Sequence, residues 1–403
     1  MVKIGIIGFG VVGSGVYEVI RTNSESITRK AGSEIDIKCI LDIRDFSSHK
    51  ESNLFINDFD TMVSDDEISI IVETMGGLNP AYEYTKRALS VGKSVVTSNK
   101  ELVATYGDEL LKIAYDNNCS YLFEASVGGG IPIIRPLNQC LAANEIDGIA
   151  GILNGTTNYI LTQMIKQGQS FEDALKDAQR LGYAESNPSA DVDGHDACRK
   201  ISILTSLALG KKVEYKKVYT EGITKISLRD VEYASELGYV IKLIGMSKIL
   251  DDGSVNIMVA PMFISKEHPL AAVEGVNNAI MVNGNAIGSA MFYGPGAGKL
   301  PTASAVVADV IDIAKNPGGE NRLLWVMSEN EIIVEQDKSE FKYFVRVGDN
   351  DKSVVNEKFG DCTFVNICDS EFGFVTEKIS EGELKEKLSS FNCKDISFIR
   401  VMS

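Results

Sequence analysis

A chain of 403 residues is long enough for two or three domains, and 44% hydrophobic with 24% charged residues is an ordinary globular mixture that excludes disorder, collagen and coiled coil. Its 56 acidic residues outnumber 40 basic ones, for a formal net charge of −16, which argues against nucleic acid or an anionic membrane as the main partner. A small anionic ligand, which needs only local basic groups, stays open.

Residues 2–7 (VKIGII) form an apolar run suited to a buried parallel strand. Gly8, Gly10 and Gly13 follow, and Val12, Val16, Val19 and Ile20 recur at helical spacing. The pattern predicts further strands over 35–41, 68–74, 94–97 and 121–125, with helices over 80–90 and 101–117 between them. Strands alternating with helices imply a right-handedly wound parallel sheet with helices on both faces. This is an α/β, Rossmann-like doubly wound domain running to about residue 130.

After Gly128-Gly129-Gly130 the pattern changes to mixed α+β. Strands are predicted over 145–154, 213–226, 254–264 and 279–292, and helices over 157–168, 170–181, 190–209 and 228–250. Ser189 is a candidate N-cap for the 190–209 helix, and Gly210 followed by two lysines a candidate stop. Pro301 to Ala314 reads as a helix returning to the first domain, before a break at Asn316-Pro317-Gly318-Gly319. The expected division is 1–130 plus about 300–325 for the dinucleotide, 131–299 for catalysis and dimerisation, and 331–403 as a small C-terminal module. In that module Phe341, Tyr343, Val345 and Val347 alternate as a strand. Ser380 with Glu383 forms a capping box ahead of Leu384, Leu388 and Phe391, and a closing strand covers 396–401.

Seven cysteines without a CxxC pair fit reduced thiols, and three histidines without an HxxxH pair argue against a zinc enzyme. No run reaches the roughly 18 apolar residues of a spanning helix, and the N-terminus enters a strand at once. A soluble, cytoplasmic protein without a signal peptide is expected.

Gly8-x-Gly10-x-x-Gly13 stands between a strand and a helix. Its glycines allow a tight turn, close approach of a pyrophosphate and close helix packing, and the helix N-terminus favours negative charge. The alternative is a glycine turn without a nucleotide, but the strand–turn–helix context favours a dinucleotide. Asp42 suits a ribose hydroxyl pair and hence NAD, whereas Arg44, with Lys50, suits a 2′-phosphate. NADP is slightly preferred, and NAD remains open. Asp196 and Lys200, four apart on a predicted helix, share one face with Ile203, Leu204 and Leu207. Pattern alone reads that pair as structural.

Six segments shift that balance: GFGVVGSG at the N-terminus, TSNKELVA at 97–104, EASVGGGIPII at 124–134, NGTTNYIL at 154–161, GYAESNPSADVDGHDACRK at 182–200 and YGPGAGKLPTASAVVAD at 293–309. In order and spacing, over about residues 1–325, they resemble homoserine dehydrogenase. The resemblance implies NAD(P)H-dependent reduction of L-aspartate 4-semialdehyde to L-homoserine, in the route to threonine, methionine and isoleucine. In such a reduction the aldehyde oxygen gains negative charge and needs a proton, and a positioned ammonium meets both needs. By motif, Lys200 is then the proton donor and Lys100 its partner near oxygen and cofactor.

The resemblance further implies an acidic substrate cluster of Glu185, Asp191 and Asp196, with Thr157 and Tyr183 as polar contacts. It places Gly8, Phe9, Gly10, Val12, Gly13, Arg44, Thr74, Gly76, Gly182 and Gly298 around the dinucleotide. Glu124, Val127, Gly129 and Ile131 resemble a monovalent-cation site, expected to hold a structural sodium on main-chain carbonyls, a hard donor set. A homodimer is also implied. The tail departs from the family's ligand-sensing ACT pattern: Asp349-Asn350-Asp351-Lys352-Ser353-Val354 lacks the proline and glycine after the first strand. A reduced ACT-like module with no convincing first helix, or an added dimerisation element, is expected, and threonine feedback is not. Two rivals are another amino-acid dehydrogenase and a silent dinucleotide sensor. The lysine pair argues against both, because a sensor has no reason to keep Lys100, Asp196 and Lys200 together.

Overall fold

A computed structural model describes residues 1–318, 324–326, 331–348, 352–360, 362–368, 370–391 and 396–402. Its first sheet consists of β1 (Val2–Ile7), β2 (Ile35–Leu41), β3 (Phe55–Ile56), β4 (Ile68–Glu73), β5 (Ser94–Thr97) and β6 (Tyr121–Leu122). They pair in parallel in the order β3-β2-β1-β4-β5-β6. Successive apolar residues serve opposite faces. Ile4, Ile6, Ile70, Val72 and Val96 pack with Val16 and Ile20 of the helix Val11–Thr22 and with Ala303, Val306 and Val310 of Lys299–Lys315. Ile7, Ile71 and Val95 pack with Leu102, Val103 and Leu110 of Lys100–Asp116 on the other face. Burial on both faces explains the unbroken apolar runs of these strands.

The second sheet has eleven strands, which add β7 (Ile146–Ile152), β8 (Tyr219–Thr220), β9 (Tyr239–Ile249), β10 (Val255–Ser265), β11 (Asn277–Gly284), β12 (Gly288–Pro295), β13 (Glu340–Gly348), β14 (Thr363–Val365), β15 (Glu371–Val375), β16 (Ile379–Ser380) and β17 (Ser397–Met402). Their order is β12-β11-β7-β9-β10-β17-β13-β15-β14, with β8 on β10 and β16 on β13.

Four sequence expectations are corrected here. The helix expected over 228–250 stops at Glu236: Ser227 and Asp230 cap its start, Gly238 at φ +80° ends it, and β9 follows. Because β9 pairs with both β7 and β10 and is largely buried, it lacks the alternation that marks a strand. The strand expected over 213–226 shrinks to β8, because β8 and β17 divide one edge of β10 between them. The helix expected over 190–209 is interrupted at Gly194, φ +85°, into Ser189–Val192 and His195–Leu209. The single strand over 279–292 is a hairpin of β11 and β12, in which Gly288 turns at φ +73°.

The tail differs too. Its elements run β13, helix Lys352–Phe359, β14, β15, the two-residue β16, helix Glu381–Leu388 and β17, a βαββαβ unit with β16 as a short addition, so the doubted first helix is present. Asp349, Asn350 and Asp351 lie outside the described residues, as does Gly319 of the expected break. β17 pairs in parallel with β10 at Met262–Arg400, Phe263–Val401 and Ile264–Met402, so one sheet runs through both parts. Arg400, 1% exposed, donates to Glu381 Oε2 at 2.7 Å and to Glu221 Oε2 at 2.7 Å.

Several contacts among the described residues tie the two sheets together. Gly130 N–H donates to the Pro295 carbonyl at 3.2 Å, and a side chain at Gly129 would collide with the Gly296 carbonyl. Further away, Trp325 packs on Gly107 and Phe123, while Val326 N–H donates to Gly210 O at 3.0 Å and Lys212 N–H to Val326 O at 3.1 Å.

Candidate active site

The carboxyl ends of β1, β2 and β4 surround a cavity of about 340 Å³. Gly8 sits at φ +88°, its N–H bound to the Leu41 carbonyl at 2.8 Å, a conformation that favours glycine. A side chain at Gly13 would run into the Gly8 carbonyl, so this glycine lets the helix approach the turn. Gly10, the N-cap of Val11–Thr22, opens into free space, leaving the helix N-terminus for an anion. Phe9 N–H donates to Asp42 Oδ2 at 2.7 Å, Val12 packs into the core beneath, and the Thr74 hydroxyl donates to Gly8 O at 2.8 Å.

Asp42 also accepts from Arg44 Nε at 2.9 Å and from its NH2 nitrogen at 2.7 Å. That bonding, with the Phe9 and Arg44 N–H groups, outweighs partial burial and holds the Asp42 carboxyl well below its ordinary range. Gly76 is open beside the β4 loop, and Gly298 is the N-cap of Lys299–Lys315. Gly182 stands in an exposed turn at φ +77° with nothing against it.

At the same edge of the sheet, Asn99 caps the helix that begins with Lys100, its Oδ1 accepting from Leu102 N–H at 3.1 Å. Lys200 lies one turn into His195–Leu209. The two lysines converge on one carboxylate: Lys100 Nζ is 2.5 Å from Asp196 Oδ1, and Lys200 Nζ is 2.9 Å from Asp196 Oδ2. Lys200 also donates to the Leu153 carbonyl at 2.7 Å.

Burial would raise the Asp196 carboxyl, but the charges of Lys200 and Lys100 and a hydrogen bond from Asn154 hold it low. Burial lowers the Lys200 ammonium, against the pull of Asp196, whereas Asp196 raises Lys100. The Lys200 side chain is 9% exposed and that of Lys100 is 43% exposed. A desolvated ammonium that gives up its proton more readily than a free lysine suits general acid chemistry.

Asn154 was missed as a site residue. Its amide donates to Asp191 Oδ1 at 2.7 Å and Asp196 Oδ2 at 2.9 Å, and its Oδ1 caps Gly155–Gln167 through Thr157 N–H at 2.9 Å. The available signal was an asparagine in N-cap position between a strand and a helix. Thr157 turns its hydroxyl back to Asn154. Burial raises the Asp191 carboxyl. Tyr183 is exposed, with its ring 5.1 Å from that of Tyr159. The Glu185 side chain is exposed and bonds to none of the described residues, so the structure joins Asp191 and Asp196 but leaves Glu185 apart.

The 124–131 loop assigns its parts differently from one another. The Glu124 carboxylate accepts from the N–H groups of Ile133 (2.6 Å), Ile134 (2.8 Å) and Arg135 (2.8 Å), so its side chain is committed to capping. The carbonyls of Val127, Gly129 and Ile131 accept no hydrogen bond from the described residues, and Gly129 curls the loop at φ +59°. Main-chain oxygens left without hydrogen bonds are the donor type that a hard monovalent cation takes.

A six-stranded parallel sheet, a glycine turn over an anion-ready helix and a lysine–carboxylate cluster at the same edge define an NAD(P)-dependent oxidoreductase. The family description "Homoserine dehydrogenase, NAD binding domain" matches residues 8–124, and "Homoserine dehydrogenase" matches residues 132–311. A homoserine dehydrogenase of Neisseria gonorrhoeae is 45% identical over 316 residues, covering 78% of this chain and 72% of the relative. One from Helicobacter pylori is 47% identical over 314 residues, covering 78% and 74%.

The crystal structure of a homoserine dehydrogenase from Thiobacillus denitrificans superposes with a TM-score of 0.93 at 35% identity, over 100% of this chain and 98% of that one. A hyperthermophilic archaeal homoserine dehydrogenase solved with NADPH covers 77% of this chain and 97% of its own, with a TM-score of 0.65 at 32% identity. The chain belongs to the homoserine dehydrogenase family, and its activity is homoserine dehydrogenation. Among the described residues, no helix is long and apolar enough to cross a membrane.

Proposed function

We propose that Lys200 is the proton donor and Lys100 its partner when this enzyme interconverts L-aspartate 4-semialdehyde and L-homoserine. The single observation that carries the reading is Asp196, held between both ammonium groups. The bound nicotinamide supplies or accepts the hydride. As charge grows on the aldehyde oxygen, Lys200 gives up a proton that burial has already loosened, and Lys100 adds electrostatic stabilisation. Asp196 keeps the two cations together, and Asn154 keeps Asp196 in register with Asp191. Asp191 and Asp196 supply negative charge for the substrate's ammonium, with the exposed Glu185 as an outlying third carboxylate and Thr157 and Tyr183 at the edges.

Gly8, Phe9, Gly10, Val12, Gly13, Thr74, Gly76, Gly182 and Gly298 surround the cofactor in this reading. NADP is preferred to NAD, because Arg44, 57% exposed on its side chain, lines the cavity beside Asp42 and offers a guanidinium to a 2′-phosphate. The main-chain carbonyls of Glu124, Val127, Gly129 and Ile131 hold a sodium ion. The exposed Met291 and Tyr293 on the edge strand β12 support a homodimer, and the buried cysteines Cys39, Cys119 and Cys198, which form no disulfide among the described residues, support a reducing cytoplasm. Residues 1–130 with about 300–325 carry the dinucleotide, 131–299 the catalytic groups and 331–403 the appended unit.

The test is nicotinamide absorbance with L-homoserine, comparing NADP with NAD at matched concentrations, for the parent and Lys200→Ala. Faster reduction of NADP, abolished in Lys200→Ala while cofactor still binds, is expected. Near-normal turnover in that variant removes Lys200 from the donor role.

A further inference from the structure

Glu73, the last residue of β4, is fully buried and pairs with no lysine or arginine among the described residues. Its Oε1 accepts from Met75 N–H at 2.7 Å and its Oε2 from the Thr97 hydroxyl at 2.5 Å. Thr97 Oγ1 in turn accepts from Asn99 N–H at 2.9 Å. Asn99 then links three groups: its Oδ1 caps the Lys100 helix, its amide donates to the Gly77 carbonyl at 2.6 Å, and its side chain also lies within hydrogen-bonding reach of Glu73. One carboxylate therefore ties the loop that follows Thr74, beside the cofactor cavity, to the turn that launches Lys100.

A buried carboxylate without a cation is an expensive way to fill this place. Burial pushes the Glu73 carboxyl up to about 7, and among the described residues the titratable group that faces it is the buried phenol of Tyr121. What a carboxylate offers is two acceptor oxygens at once, one for each loop; glutamine offers one acceptor and one donor. We propose that Glu73 is a positioning residue for the dehydrogenase reaction, accepting from Met75 and Thr97 together and so holding the cofactor-side loop and the Lys100 helix in one register. The proposal rests on the reading of Lys100 given above.

The test uses the full chain with Glu73→Gln, Thr97→Val, Thr97→Ser, the Glu73→Gln/Thr97→Val double variant and Lys100→Met. Steady-state homoserine oxidation, NADPH binding by fluorescence and the thermal midpoint at pH 8 are measured. Glu73→Gln and Thr97→Val are each expected to lower kcat at least tenfold with KM for homoserine within threefold. The double variant is expected to match the worse single one, Thr97→Ser to stay within twofold of the parent, and Glu73→Gln to melt no lower than the parent. A kcat within twofold of the parent in Thr97→Val, losses that multiply in the double variant, or losses matched by lower midpoints overturn the proposal. Lys100→Met separates the two readings. A collapse there alongside a normal Thr97→Val defeats the proposal alone, and a normal Lys100→Met defeats the lysine reading and the proposal with it.

Discussion

Replacing Glu73 by glutamine should change how stability depends on pH, because the exchange removes a buried acid whose protonation differs between the folded and unfolded chain. Burial raises the carboxyl from its ordinary 4.5 to about 7 in the folded protein. An acid shifted upward favours folding fully below its unfolded pKa, and that contribution is lost as pH rises through the folded value. At about 1.4 kcal/mol per unit the whole loss is about 3 kcal/mol, of which about 2 kcal/mol falls between pH 5.5 and 8.5. Starting at 5.5 also keeps clear of the isoelectric region near 4.8.

For a chain of this length, 1 kcal/mol moves the thermal midpoint by about 1–2 °C. The midpoint of Glu73→Gln minus that of the parent should therefore rise by about 2–4 °C over that range. Paired thermal scans at constant ionic strength measure this, and all titrations common to both proteins cancel in the difference. Any fixed cost of the amide shifts the whole curve without changing its slope. A flat difference, or one that falls with pH, refutes the account of Glu73 as a buried, unpaired acid.

Asp196→Asn leaves two ammonium groups without their shared anion, so the Lys200 ammonium, already lowered by burial, drops further. The basic limb of the pH–rate profile for semialdehyde reduction should move to lower pH, and an unmoved limb excludes Lys200 as the group that titrates. Arg400→Met leaves the fully buried Glu381 carboxylate with only Lys385, at 3.1 Å, and the Gln336 amide, at 2.6 Å, among the described residues, and should cost about 3 kcal/mol, read as a lower thermal midpoint. Adding Glu381→Gln should recover most of that loss, and a parent-like midpoint in Arg400→Met alone contradicts it.

Five of the six strands of the first sheet were readable in the sequence because they are apolar runs bounded by glycine or polar turns, whereas β3, two half-buried residues at the edge, carries no such run. The glycine turn was readable because its residues answer local backbone demands. β9 was not, since a strand paired on both edges and covered on both faces carries no period of two, and the helix before it ends only at Gly238. The first helix of the tail was doubted because the stretch before it lacks the proline and glycine of the family pattern, although Asp349-Asn350-Asp351 offers residues that favour a helix start. Lys100, Lys200 and Asp196 entered through family resemblance, since an i, i+4 ion pair alone looks the same on any helix. Asn154 and Glu73 stayed hidden for a different reason: each acts through partners distant in sequence, and an N-cap asparagine or a strand-end glutamate is unremarkable in one dimension.

Two adjacent ties between the sheets, at Gly129–Gly130 and Pro295–Gly296, would leave the molecule free to swing like a door on its post. The clamp at Trp325 and Val326, joining Gly107 and Phe123 to Gly210 and Lys212, takes that swing away. The two parts are thus joined on opposite sides of the lysine cluster, and the half-exposed Lys100 is the member of that cluster that meets solvent.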